Sequence, residues 1–273
     1  DRVMLSRNLR VAIVESDICW ADKEQNLARV AEAMRRLPDD TDVVVLPEMF
    51  STGFIADDAD LAQQLAERGT GDTIQRLKAM ANERSVAIAG SFLARTAGQL
   101  YNRAFFIEPH DDETFYDKCH LFGFAGEDKV YNRGFHEAPI VRFRGMNIKL
   151  ITCYDLRFPV FCRNVDNAYD VLLVVANWPM ARINAWRTLL AARAIENECY
   201  VCGANRCGTD ASGVNYGDGT SLVFDFKGKC IVRRAEGSCI AAADLSPEAL
   251  VRFRQKFPAW RDADDFKLSI KQS

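Results

Sequence analysis

Short apolar runs alternate with amphipathic stretches from one end of the chain to the other. Residues 9–14 read as a strand, and 22–37 as a helix. In that helix Leu27, Val30, Ala31, Met34 and Leu37 share one face, and Asp22 with Gln25 gives a capping-box spacing at its start. Residues 42–46 predict a strand stopped by Pro47. Helical spacing returns at 61–68 and 73–84, with Asp72 as a cap, before strands at 86–92, 101–107 and 114–116. The second half keeps the same alternation, with strands at 148–152 and 171–176, a short helix at 159–168 and a longer one at 182–197. Strands at 200–204, 221–225 and 230–233 follow, then a tail from 252 to 268 with aromatic residues but no strong period.

Runs such as VVVL and VLLVV contain no polar residue and predict strands buried on both faces. Helices and strands interleaved throughout indicate an α/β protein. No low-complexity segment, Pro/Gly linker or repeat divides the chain, so residues 1–273 are expected to form a single domain.

Composition narrows the classes of function. The chain is 48% hydrophobic and 27% charged with a formal net charge of −3, and its Lys and Arg are scattered. A nucleic-acid partner would need a concentrated basic face. No apolar run has the length of a membrane span, and the opening DRVMLSRNLR lacks the apolar region of a secretory signal. The expectation is a soluble, cytoplasmic protein. Nine cysteines, an odd number, argue against a disulfide framework. Cys199, Cys202 and Cys207 lack a second zinc knuckle, and His110, His120 and His136 lie far away in sequence, so they read as buried hydrophobes and not as metal ligands.

Four apolar strands end abruptly in reactive or bulky polar residues: Glu48, Lys118, Cys153, and Asn177 with Trp178. In α/β sheets, sites form beyond the carboxyl ends of strands, so these four ends can converge on one pocket. Cys153 closes an apolar strand and is followed at once by Tyr154, Asp155 and Arg157, surroundings that can expose and ionise a thiol. A histidine base is poorly supplied. His120, two residues beyond Lys118, reads as a helper or as a hydrogen-bonded neighbour. Glu48 is the alternative base, against the reading of a solvated loop acid. Lys118 would add a cation to lower the thiol pKa and hold an oxyanion, where a lone lysine would otherwise be a surface residue.

LPEMF at 46–50, DKCHLF at 117–122 and CYDLRFP at 153–159 resemble, in order, the three signature motifs of the nitrilase superfamily of carbon–nitrogen hydrolases. The resemblance runs from the first strand to FPAWRDADDF, and EMFSTGF with CYDLRFP is similar to the omega-amidase branch. It implies a four-layer α-β-β-α sandwich and a homodimer or higher homo-oligomer, with the tail at 252–273 at the subunit interface. It implies no metal or organic cofactor. Glu48 is the implied general base, Lys118 the oxyanion stabiliser and Cys153 the nucleophile. Glu127 is the further carboxylate, orienting the lysine or assisting water, against a solvated loop acid.

The implied substrate is a small amide, with water, that carries its own carboxylate. Arg157 is its expected partner, or else the partner of Asp155 in a salt bridge. Tyr154 offers a backbone N–H to the oxyanion, and Trp178 and Phe124 form a pocket wall or pack in the core. Rival readings are a deaminated glutathione amidase, a carbamoyl hydrolase, a nitrilase, a non-catalytic binding protein on the same fold, and a redox or metal protein using the thiols.

Overall fold

The computed structural model describes residues 7–110 and 112–271. The chain enters by β1 (Leu9–Val14), crosses through α1 (Lys23–Arg35) to β2 (Val43–Val45), and passes α2 (Ala59–Leu65) and α3 (Asp72–Arg84). An antiparallel meander follows: β3 (Ala87–Thr96), β4 (Gln99–Ile107) and β5 (Glu113–Asp117). One-turn helix α4 (Glu127–Val130) leads to the hairpin of β6 (Ile140–Phe143) and β7 (Met146–Thr152). Then come α5 (Pro159–Cys162), β8 (Val171–Ala176), α6 (Ile183–Glu196) and β9 (Tyr200–Asn205). The chain closes with β10 (Leu222–Phe224), β11 (Arg233–Arg234), β12 (Ile240–Leu245) and α7 (Pro247–Lys256).

The strands form two sheets, one of seven in the order β11-β12-β1-β2-β3-β4-β5 and one of five in the order β10-β9-β8-β7-β6. Parallel pairing joins β1 to β2 to β3 in the first sheet and β7 to β8 to β9 in the second. Alternate residues of each strand point to opposite faces. Val11, Ile13, Val43, Val45 and Ala89 therefore enter one apolar cluster with Ile148, Leu150 and Val174 of the second sheet. Their neighbours Ala12, Val14, Val44 and Ile88 pack instead against Leu27 and Val30 of α1 and Ile74 and Leu77 of α3. Each fully buried side chain of this kind stabilises the fold by about 1.5–3 kcal/mol.

On the far side α6 buries Trp186, Leu190 and Ala194. It lies so close to β9 that a Cβ on Gly203 would sit 2.6 Å from Leu190 and 2.8 Å from Trp186. The layers are helix, sheet, sheet, helix: the α-β-β-α sandwich in one domain.

Several segments differ from the sequence expectation. The helix expected over 159–168 stops at Cys162. Asp166 and Asn167 take positive φ, and the Asn164 side chain bonds Tyr169 and Asn197 main-chain oxygens instead. The strand expected at 230–233 reduces to an isolated bridge at Cys230 and the two residues of β11. The aperiodic tail begins inside α7, whose start signal is Ser246 capping Ala249 N with Pro247 in the first turn. β6 and β12 were not among the expected strands; β6 is only four residues, IVRF, and β12, whose apolar run is mostly alanine, takes its place as the antiparallel neighbour of β1. Among the described residues no helix is long and apolar enough to cross a membrane.

Candidate active site

Four strand ends meet at a cavity of about 580 Å³. After β2 the chain turns at Pro47 and Glu48, with Met49 in the left-handed region at φ 51°. Met49 N–H donates to Ser91 Oγ at 2.9 Å, and Phe50 N–H to Ser91 O at 3.2 Å, so β3 holds this turn in place. Lys118 follows β5 and continues its ladder, donating N–H to Asn102 O at 3.0 Å. Its own carbonyl accepts from Gly134 N–H at 2.9 Å. No side chain fits at Gly134, where a Cβ would lie 2.0 Å from Asp117 O.

Cys153 ends β7 in an elbow with φ 44°, a left-handed conformation that costs a non-glycine residue energy and lifts its side chain out of the strand. Asp155 fixes the elbow. Its Oδ2 accepts from Thr152 N–H at 3.0 Å and Tyr116 OH at 2.8 Å, and its Oδ1 accepts from His120 N–H at 3.2 Å.

The ionic groups are buried and bonded to one another. Glu48, Lys118 and Glu127 are each at most 1% exposed. Lys118 Nζ donates to Glu48 Oε1 at 3.0 Å and to Glu127 Oε1 and Oε2 at 3.1 and 2.9 Å. Glu127 Oε2 also accepts from Phe122 N–H at 2.6 Å. Asn102 Nδ2 bridges the carboxylates, 2.7 Å from Glu48 Oε1 and 3.1 Å from Glu127 Oε1. Glu48 Oε2 accepts the main-chain N–H of Asn177 at 2.9 Å, across from the second sheet.

Burial alone would strip the proton from Lys118, but Glu127 and Glu48 together hold its ammonium well above the usual lysine range. Glu127 is raised by burial and by the charge of Glu48, against the pull of Lys118. Cys153 is raised well above an ordinary thiol by burial and then by Glu48, with Lys118 opposing. The lowering expected of Lys118 is thus present, but burial and Glu48 outweigh it.

The remaining expected residues separate. Tyr154 is the second residue of a short 3₁₀ turn over Cys153–Arg157, where the first N–H groups have no acceptor within the turn. Arg157 lies in a small recess beside Cys153, its guanidinium 5.0 Å from the Trp178 ring centre, and forms no ion pair with Asp155. Trp178 is 3% exposed and serves both expected roles, bordering that recess and packing on Trp186 at 5.3 Å. Phe124 is corrected: it is 88% exposed, and Phe122 lines the cavity in its place. His120 follows β5 and does not continue it; its Nδ1 lies 2.7 Å from Asp155 Oδ1, and its ring stacks on Phe158 at 4.1 Å. Cys199 and Cys202 are buried at β9, and burial pushes the Cys202 thiol up to about 12. Among the described residues no cluster of His, Cys, Asp or Glu could hold a metal ion.

Asn102, Asp155 and Phe122 were not among the expected site residues. Asn102 had a signal: it shares a strand face with Ala104 and Phe106, which point into the core between the sheets. A polar residue in that row needs a polar partner.

The carbon-nitrogen hydrolase family model matches residues 10–255. Omega-amidase YafV of Escherichia coli K12 is 41% identical over 261 residues, covering 95% of this chain and 98% of the relative. The 2-oxoglutaramate amidase of Bacillus subtilis is 30% identical, covering 92% and 96%. The crystal structure of XC1258 from Xanthomonas campestris, a CN-hydrolase superfamily protein with an arsenic adduct in its active site, superposes with a TM-score of 0.90. That protein is 38% identical, over 96% of this chain and 99% of its own. Nit3 of Saccharomyces cerevisiae, in branch 10 of the nitrilase superfamily, gives a TM-score of 0.79 at 25% identity, covering 93% and 96%. The chain belongs to the carbon-nitrogen hydrolase family.

Proposed function

We propose that this protein hydrolyses the terminal amide of a dicarboxylic acid monoamide, 2-oxoglutaramate or a close analogue, through a thioester on Cys153. The observation that carries the reading is the meeting of Glu48, Lys118 and Cys153 at one cavity in a chain 41% identical to an omega-amidase. Glu48 takes the thiol proton as sulfur attacks the amide carbon. The carbonyl oxygen becomes an oxyanion held by Lys118 and the Tyr154 N–H. Lys118 spends two bonds on Glu127, and one of them can be exchanged for the oxyanion. As the tetrahedral intermediate collapses, Glu48 returns the proton to nitrogen and ammonia leaves. Water then attacks the thioester carbonyl, giving a proton to Glu48, which passes it to the departing sulfur as the acid is released.

Glu127 is a positioning residue in this scheme, since it touches Lys118 and not the substrate. Arg157 is the partner for the distal carboxylate, supported by its place beside Cys153. The reading extends to a cytoplasmic homodimer with the tail at 252–273 at its interface. Nine free cysteines suit a reducing compartment, and Val160, Ile195, Val251 and Phe257 present exposed apolar surface on α5, α6, α7 and the segment after it. Ammonia release from 2-oxoglutaramate, together with an intact-mass search for an acyl adduct on Cys153 after brief exposure, tests the proposal. Turnover without an adduct, and unchanged in Cys153→Ala, would remove the mechanism.

A further inference from the structure

The recess beside Cys153 is bounded by two arginines, Arg157 and Arg182. Some guanidinium groups elsewhere are held by acids, as Arg103 is by Asp117, Arg234 by Glu15 and Arg254 by Asp170, and others bond amide or main-chain oxygens, as Arg142 does Asn147 and Arg163 the Glu196 carbonyl. Neither Arg157 nor Arg182 has a carboxylate within ion-pair distance among the described residues. The acids that share the main cavity are engaged or solvated: Asp210 takes bonds from Ser212, Val214 and Tyr216, Asp58 caps Leu61, and Asp57 is exposed. Each guanidinium instead lies near an aromatic ring, Arg157 at 5.0 Å from Trp178 and Arg182 at 5.1 Å from Phe122. A ring contact anchors a guanidinium while leaving donors for a carboxylate.

Asn177 stands in the same recess. Its side chain is nine-tenths buried, yet neither Oδ1 nor Nδ2 has a partner. Burying an amide without hydrogen bonds is costly, and a ligand is the natural source of the missing ones. The Asn177 N–H is fixed to Glu48 Oε2, so the side chain is held in register with the proposed base. Asn177 and Arg182 both belong to the connection from β8 to α6.

We propose that this connection determines specificity by reading the end of the substrate remote from the amide. Arg182 pairs with the distal carboxylate alongside Arg157, and Asn177 Nδ2 donates to the adjacent oxo group. The ligand class is a 2-oxo dicarboxylic acid monoamide, and the inference rests on the amidase reading above.

The test measures kcat/KM by ammonia release for 2-oxoglutaramate, glutaric acid monoamide and butyramide. These share the reacting amide and differ only at the far end. In Arg182→Gln the preference for glutaric acid monoamide over butyramide should fall roughly 30- to 100-fold. Arg182→Lys, which keeps the charge but not the planar fork, should lose part of it. Asn177→Ala should cut the preference for 2-oxoglutaramate over glutaric acid monoamide about tenfold while keeping the carboxylate preference. Circular dichroism confirms that each variant is folded. Unchanged ratios in folded variants, against a wild type that prefers the carboxylated amides, would overturn this inference alone. A wild type that turns over butyramide as well as the carboxylated amides would overturn the substrate reading and this inference with it.

Discussion

The two ends of the cavity treat charged groups in opposite ways. At the Glu48–Lys118–Glu127 end every charge is paired: Lys118 and Asn102 each reach both carboxylates, and backbone donors bind the remaining carboxylate positions, although Asn102 Oδ1 is buried without a partner. At the Asn177–Arg182 end, an amide and two guanidinium groups line a recess with no acid to meet them. A closed network is rigid before anything binds, because moving one member strands the others in a low dielectric. An open set gains its partners only from a ligand. On the proposed scheme, the difference separates a part of the site that performs one reaction on any amide from a part that selects which amide arrives.

Substitutions at the closed end should act on turnover whatever the substrate. Cys153→Ala should lower ammonia release roughly 10⁴-fold or more, with stability in urea within about 1 kcal/mol of wild type. A variant that keeps a tenth of the activity would show that the sulfur is not the nucleophile. Lys118→Met should abolish activity and also destabilise by about 3–5 kcal/mol, because two buried carboxylates then face each other unpaired. Equilibrium urea unfolding reads this; a stability loss under 1 kcal/mol would mean the network is not closed. Asn102→Ala should cost roughly 10- to 100-fold in kcat with similar ratios among the three amides, in contrast to Asn177→Ala.

The smallest effect concerns the resting thiol. Burial and Glu48 raise the Cys153 pKa, so its neutral form persists to higher pH than that of a free thiol. Its alkylation by iodoacetamide, followed by peptide mass, should keep accelerating beyond pH ~8.5, where an ordinary thiol begins to level off. A plateau below that pH would indicate a resting thiolate held by Lys118.

The sequence carried the proposed reacting groups because each follows the end of a strand, and strand ends in such sheets converge. Glu48, Lys118 and Cys153 could be found that way, and the motifs around them pointed to the family. What sequence could not carry was partnership across distance. Asn102 meets Glu48 from 54 positions away and Asn177 meets it from 129, and no local pattern encodes either bond. Phe122 and Phe124 are two residues apart in one loop, yet one lines the cavity and the other faces solvent, because 3₁₀ geometry over Gly123–Ala125 separates them. The fold was legible where apolar runs were long, and lost where Asx residues diverted the chain after Cys162 or where β12 depended on β1 for its place.

Glu48 grows from one sheet and is tied by Asn177 to the other, on which Cys153 also stands. The seam between the layers thus runs through the proposed reaction centre, and in that scheme base and nucleophile reach each other only while the two halves stay aligned. A substitution far out in the apolar interface, if it let one layer slide by a fraction of an ångström, would be felt first as slower proton transfer and only later as unfolding.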